Sequence, residues 1–171
     1  MKKELWLIGI VILLGFVFVF TRKTSKQPKE VHIHAGFQVY VDGKRQDFLQ
    51  TKYMSVKPCE EGEHRELSKE EIQEEKAHLH ENVGDVVHVH LEGATWGDLF
   101  KNIRYDFPRS KPIEAFVNGQ RVSNILARFI GPYDSAVIFL GKSDQRLLKS
   151  AVSKERIKKV EQSSVDCGGN E

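Results

Sequence analysis

Apolar and polar residues alternate in two stretches of the chain, and each stretch predicts a β-strand. In residues 31–41 the apolar side chains occupy the odd positions. In residues 86–92, Val87, Val89 and Leu91 alternate with His88, His90 and Glu92, and Val86 falls on the histidine face. This period of two places the odd-numbered apolar residues on one sheet face and the intervening residues on the other. Histidines occur among the intervening residues of both stretches. If the two strands are neighbours, four histidines share one sheet face within cross-strand reach.

Turn and capping signals divide the rest of the domain into short elements. Asp42-Gly43 predicts a hairpin turn, with a return strand at about residues 45–49. The further predicted elements are a charged helix from the capping box Ser68/Glu71 to about Lys76, a helix over 96–103 after Thr95, a hairpin over 113–122 around Asn118-Gly119, and a buried strand over 135–140. The 96–103 helix is expected to bury Trp96, Leu99, Phe100 and Ile103. This order predicts an α+β fold with a mixed, β-grasp-like sheet and short helices over residues 31–141.

The N-terminus predicts a transmembrane helix. The apolar run from Leu5 to Phe20 has basic residues on both sides, and it spans about 24 Å as a helix, which is workable with flanking side chains that snorkel. The run ends without the small residues of a cleavage site. We therefore expect an uncleaved membrane anchor over residues 1–22, a linker over 23–30, and a single-pass membrane protein whose soluble part lies outside the cytoplasm.

The C-terminal region predicts an amphipathic helix over residues 142–162, because apolar residues recur among alternating charges. Its narrow apolar stripe suits packing either on the domain or on a partner such as an envelope protein. Residues 163–171 are polar and predict a disordered tail. The formal net charge of the chain is only +2, which does not suggest a nucleic-acid partner.

Histidine spacing is the strongest indication of function. Six of the seven histidines form three His-x-His pairs, whereas random placement gives roughly a quarter of one pair. Imidazole is a common ligand of zinc, copper and nickel, and residues two apart on a strand share a face. The pattern predicts a copper or zinc site, and the candidate ligands are His32, His34, His78, His80, His88 and His90.

Other interpretations of the histidines stay open at this stage. A metal-dependent enzyme would use three histidines with Glu81 or Glu92 as a base, although no residue is assigned a catalytic role. The histidines can instead line the polar face of an exposed sheet, sense pH, or belong to a metal-free scaffold that binds an envelope partner. The remaining candidates are soft ligands at Met54 and Cys59 and a disulfide between Cys59 and Cys167, whereas His64, alone in an acidic loop, is expected to be a surface residue.

Parts of the chain resemble known groups of proteins. The His-x-His pairs, together with Phe37 to Gly43, Gly84 to His90 and Thr95 to Phe100, resemble uncharacterised single-pass bacterial proteins with repeated His-x-His motifs. That resemblance covers most of residues 31–140 and implies no established activity. The segments Thr95 to Phe100, Phe116 to Gly119 and Tyr133 to Phe139 look like the helix, strand-Asn-Gly and closing strand of β-grasp sulfur carriers. This second likeness implies the fold only, since Gly168-Gly169 lies in the distant tail.

Overall fold

The long first strand organises the sheet. In the computed structural model, which describes residues 28–55 and 67–163, strand β1 spans Glu30–Val41. It pairs antiparallel with β2 (Lys44–Arg45) and β3 (Val86–Leu91) and parallel with β6 (Ser135–Leu140). The sheet continues antiparallel from β6 to β4 (Ile113–Val117) and then to β5 (Gln120–Val122). The result is a mixed six-stranded sheet in an α+β fold, as predicted.

Short helices join the strands. They are α1 (Lys69–Lys76), α2 (Trp96–Asn102) and α3 (Lys154–Ser163), with 3-10 helices at Thr51–Tyr53, Ile125–Ala127 and Gln145–Ser150. The predicted capping box at Ser68 and Glu71 is present, and Thr95 with Asp98 forms a second one. In each box the side chains satisfy backbone N–H groups that the first helical turn leaves free.

The main core lies on one face of the sheet. Phe37 from β1 packs there against Trp96 and Phe100 of α2, with ring centroids 6.4 and 5.9 Å away. All four residues predicted to be buried by α2 are at most 2 % exposed. Those residues are Trp96, Leu99, Phe100 and Ile103. The odd-numbered apolar positions of β1 therefore face the core, as the alternation predicts.

The C-terminal segment covers the opposite sheet face. Leu147 and Leu148 pack beside a buried cluster that includes Tyr40 and Phe139. Further along the sheet, the α3 residue Ile157 is fully buried in a cluster with Val86 of β3. This face is therefore a second, smaller core rather than an exposed surface.

Gly36 allows the C-terminal segment to approach the sheet. A Cβ atom added at Gly36 would lie 2.4 Å from the Cβ atom of Val152. Any side chain at position 36 would push this segment away from β1.

Two predicted elements differ from the structure. The helix predicted over residues 142–162 is a 3-10 helix followed by α3, because Ser153 begins a new helix by accepting a hydrogen bond from the Arg156 N–H (3.2 Å). Strand β2 contains only Lys44–Arg45, because the chain turns Phe48 into the main core, where it is 3 % exposed. Within 28–55 and 67–163, no helix has the length and apolar composition needed to cross a membrane. The predicted anchor over 1–22, most of the linker and the tail from 164 onward lie outside these ranges.

Docking of α3 on the domain can be tested by truncating Ile157. We expect Ile157→Ala to lower the free energy of unfolding by about 2–5 kcal/mol, because it removes a buried side chain and leaves a cavity. Urea denaturation of the full-length protein measures this change.

The matched control is Leu49→Ala, because Leu49 is 55 % exposed. We expect this variant to change the free energy of unfolding by no more than about 0.5 kcal/mol. Equal stability of both variants would show that α3 does not pack on the domain in solution.

Candidate metal centre

The register of β1 and β3 brings two histidine pairs together. His34 lies directly opposite His88 in this antiparallel pair. The His88 N–H and C=O both form hydrogen bonds on the other edge of β3, and the His34 C=O accepts one from the Tyr133 N–H (2.8 Å) on the far edge of β1. His34 and His88 therefore form a non-hydrogen-bonded pair, the type in which facing side chains lie closest.

An irregularity in β1 positions His32. The register shifts by one residue between Glu30 and Ile33, which is a β-bulge. Such a bulge changes the direction of nearby side chains. The His32 ring lies 4.9 Å from His34 and 5.6 Å from His90, measured between centroids. His32 is also the exposed member of the cluster.

The third histidine pair lies along the edge of β3 that does not pair with β1. His78 and His88 exchange two backbone hydrogen bonds of 2.9 and 3.0 Å, as an antiparallel bridge. Ala77 and Leu79 are fully buried in the main core, so alternation places His78 and His80 on the opposite face. The order of segments across this part of the sheet is therefore 77–80, β3 and β1, each with a His-x-His pair on the same face.

Contacts at the end of α1 hold the 77–80 segment in place. The Asn102 side-chain amide of α2 donates hydrogen bonds to the carbonyls of Gln73 (2.7 Å) and Ala77 (2.9 Å). These carbonyls would otherwise lack partners at the helix C-terminus. The Lys76 ammonium also donates to Asp98 (3.0 Å). Helix α1 is thus a docked connector that delivers His78 and His80.

All six predicted ligands form one cluster with His88 at its centre. The His88 ring centroid lies 3.7 Å from that of His34 and 3.9 Å from that of His80. Two groups in the cluster place one ligand nitrogen from each member within 4.8 Å of the others and can hold a metal ion. These groups are His32, His34 and His88, and His78, His80 and His88. His90 belongs to neither group, but its ring lies 5.0 Å from that of His78.

Several of these ring nitrogens are buried without a hydrogen-bond partner. They are Nδ1 of His34, Nε2 of His80, Nδ1 of His88 and Nε2 of His90. His34 and His88 also bring their Nε2 atoms into direct contact. An unsatisfied buried polar group costs about 1–3 kcal/mol. Coordination of an ion would give a partner to Nε2 of His80, Nδ1 of His88 and Nε2 of His90, whereas Nδ1 of His34 has the Glu161 carboxylate 3.6 Å away.

Carboxylates lie on the outer side of three rings. Glu161 of α3 is 3.6 Å from Nδ1 of His34, and its position is held by a hydrogen bond from the Tyr133 hydroxyl (2.8 Å). Similar distances separate Nδ1 of His80 from Glu81 (3.5 Å) and Nδ1 of His90 from Glu75 (3.6 Å). A carboxylate beside one ring nitrogen favours a proton there and leaves the other nitrogen free as a metal ligand. His78 has a backbone counterpart, since its Nδ1 is 3.4 Å from the Glu74 carbonyl.

Burial keeps most of the cluster neutral. Loss of hydration, with a smaller effect from nearby histidines in the same direction, lowers the pKa of His34 and His78 from 6.5 to about 3. Burial also lowers the pKa of His90 to about 4 and that of His80 and His88 below the ordinary value. Neutral imidazole is the form that coordinates metal. At neutral pH these histidines are therefore in the protonation state that a metal ligand requires.

This burial excludes the interpretation in which the histidines line the polar face of an exposed sheet. His34 and His88 are each 1 % exposed, so they do not line the polar face of an exposed sheet. Of the carboxylates considered for catalysis, both Glu81 and Glu92 are exposed, and Glu81 lies beside His80. Met54 packs against the main core, on the other side of the sheet. His64 and both cysteines lie outside the described residues.

Some residues around the cluster were not predicted from the sequence. Glu75, Tyr133 and Glu161 come from three separate segments. Only the tertiary structure places the two carboxylates beside histidines and the Tyr133 hydroxyl against Glu161. Glu75 lies beside His90, fifteen residues further along the chain, so no local spacing indicates this contact. Two surface clefts, lined by segments 121–134 and 97–107 with Leu126, contain no histidine.

Comparison of the chain with protein-family models, with curated proteins and with solved structures finds no match. The function therefore has to be argued from the histidine cluster itself.

The lowered pKa values predict that the metal-free protein loses stability in acid. Between pH 7 and pH 5 the unfolded chain protonates histidines that the folded protein keeps neutral, so the free energy of unfolding falls as pH falls. A group whose pKa moves from 6.5 to about 3 contributes about 2 kcal/mol to this loss. Urea denaturation with a chelator present, at the two pH values, measures it.

The variant His78→Gln is the comparison for this measurement, since it removes one buried titrating group. We expect a smaller difference in stability between pH 7 and pH 5 for this variant. Equal stability of the unmodified protein at both pH values would contradict the buried, neutral state of the histidines.

Proposed function

We propose that this protein binds copper or zinc through its histidine cluster and serves as an extracytoplasmic metal-binding or metal-delivery protein. One observation carries the proposal: two groups of three histidines place their ligand nitrogens within 4.8 Å of one another. Buried nitrogens without hydrogen-bond partners in the same cluster support it, because coordination of an ion would satisfy them.

The ligand set favours borderline transition metals. Zn–N bonds of about 2.0–2.1 Å place two ligand nitrogens of a tetrahedral ion roughly 3.3–3.4 Å apart. Ring movements on the order of 1 Å would close either group of three around an ion. Neutral imidazoles suit Zn(II), Cu(II) and Ni(II), and the Irving–Williams order favours copper where it is available. Hard ions such as Ca²⁺ and Mg²⁺ prefer oxygen ligands.

The carboxylates around the cluster support binding more than catalysis. Glu81 faces Nδ1 of His80, the position of an outer partner that orients a ligand. A general base would instead need to reach a water molecule on the ion. We therefore favour metal binding over a metal-dependent enzyme.

Membrane anchoring belongs to the same proposal. The apolar run over residues 5–20 and the basic residues around it support a single-pass anchor. Basic residues on both sides of the run do not fix its orientation. We place the metal centre outside the cytoplasm because short N-terminal anchors more often leave the body of the protein there and histidine metal sites suit that compartment. We also propose that the sheet is β-grasp-like. The parallel pairing of β1 with β6 at the centre of the sheet supports this. The buried residues of α3 pack on the protein's own sheet, so an envelope partner would have to use the outer surface of that helix.

Metal titration tests the function directly. We expect the full-length protein, purified in detergent and stripped with a chelator, to bind Cu(II) or Zn(II) stoichiometrically by elemental analysis and calorimetry. The double variant His34→Ala/His88→Ala removes the ligands at the centre of the cluster. Loss of an outer-shell partner lowers metal affinity roughly 10- to 100-fold, and we expect the affinity of this double variant for metal to fall by more than that.

The control is His64→Ala, since His64 lies outside the three His-x-His pairs. We expect this variant to retain the stoichiometry and affinity of the unmodified protein. Absence of metal binding by the unmodified protein would refute the proposed function, and equal losses in both variants would place the site elsewhere.

A further inference from the structure

His88 is the residue shared by the two three-histidine groups of the described chain. One group combines it with the β1 pair, His32 and His34, and the other combines it with His78 and His80 from the 77–80 segment. Because β3 lies between these two segments, the two groups extend in opposite directions from His88 along the sheet.

The two rings closest to His88 approach it edge-on. His34 and His80 lie at interplanar angles of 87° and 89° to His88, with centroids 3.7 and 3.9 Å away. Nε2 of His88 contacts Nε2 of His34. Nδ1 of His88 and Nε2 of His80 are both buried without a hydrogen-bond partner. The lone pairs of the two nitrogens in an imidazolate ring point away from each other, so one ring can serve an ion on each side.

We propose that the cluster holds two divalent ions and that His88 bridges them as an imidazolate; this inference rests on the proposed metal-binding function. One ion is coordinated by His32, His34 and one nitrogen of His88. The other ion is coordinated by His78, His80 and the second nitrogen of His88. Each of the two ring nitrogens of His88 forms one bond to a metal ion. The single N–H proton of the neutral His88 ring passes to solvent water, and no electron is transferred.

The surrounding charges match two ions. Glu161, Glu81 and Glu75 lie 3.5–3.6 Å from Nδ1 of three different histidines. The three carboxylates and the bridging imidazolate together provide four negative charges around two dications. This compensation reduces the repulsion between two ions held close together in a buried site, where charges interact strongly.

The two ions would have different surroundings. The group from the 77–80 segment is buried, with His78 8 % and His80 9 % exposed. The β1 group includes His32, which is exposed. The ion held by His78 and His80 would therefore be enclosed. The ion held by His32 and His34 would be open to solvent and to exchange.

Copper stoichiometry tests the number of ions. We expect the full-length apoprotein to bind two Cu(II) per chain by elemental analysis after desalting. The variant His78→Ala/His80→Ala should bind one, and His32→Ala/His34→Ala should also bind one, because each variant removes the separate ligands of a single ion. His64→Ala should still bind two. Retention of one ion shows that a pair variant is folded.

Electron paramagnetic resonance tests the bridge. Two Cu(II) ions joined by an imidazolate couple their spins, so at low temperature the two-copper protein should give much less signal than two isolated spins per chain. Each one-copper variant should give one full spin per bound ion.

Three results would overturn the inference, and they are distinguishable from each other. One copper in the unmodified protein, lost in both pair variants, would indicate a single shared site and leave the proposed function intact. Two coppers with the full signal of uncoupled spins would exclude the bridge. No copper or zinc binding by the unmodified protein would refute the proposed function itself.

Discussion

The alignment of three strand segments side by side is the constraint on which the histidine cluster depends. β3 pairs with β1 on one edge and with the 77–80 segment on the other. Each segment alternates between core and cluster, so apolar residues such as Leu79 fix which face the histidines occupy. A slip of one residue in either register would move a His-x-His pair into the main core. The hydrophobic effect that builds the core therefore also sets the geometry of the cluster.

The C-terminal segment converts this face from a surface into an interior. Val152 and Ile157 pack against the sheet beside the histidines, and Glu161 extends from the same helix toward His34. Arg156 fastens the helix by donating two hydrogen bonds to Asp85, at 2.9 and 3.2 Å, in the turn before β3. Covering the histidines removes hydration, lowers the pKa of His34 and leaves ring nitrogens without partners. Burial is thus the physical basis both for the predicted instability of the metal-free cluster in acid and for the unsatisfied nitrogens that an ion could coordinate.

Local signals predicted the elements well where one physical cause was dominant. Period-two alternation located β1 and β3, and the side-chain caps of Ser68 and Thr95 located the starts of α1 and α2. The C-terminal helix was predicted too long, because a helical pattern of apolar residues does not reveal that Ser153 begins a new helix. The β-bulge beside His32 was also missed, since it arises from pairing with β3 and has no signature within β1 alone.

The sequence by itself determined which residues form the candidate site and which face of each strand carries them, because both follow from spacing of two along extended backbone. It also indicated the chemistry, since three His-x-His pairs favour a transition metal. The tertiary structure alone decided that the pairs converge on His88 and that Glu75 and Glu161 stand behind the rings. These contacts depend on strand order and on the docking of α1 and α3, which join residues far apart in the chain. Local patterns cannot specify such contacts, because they are set by how the elements bury their apolar faces together.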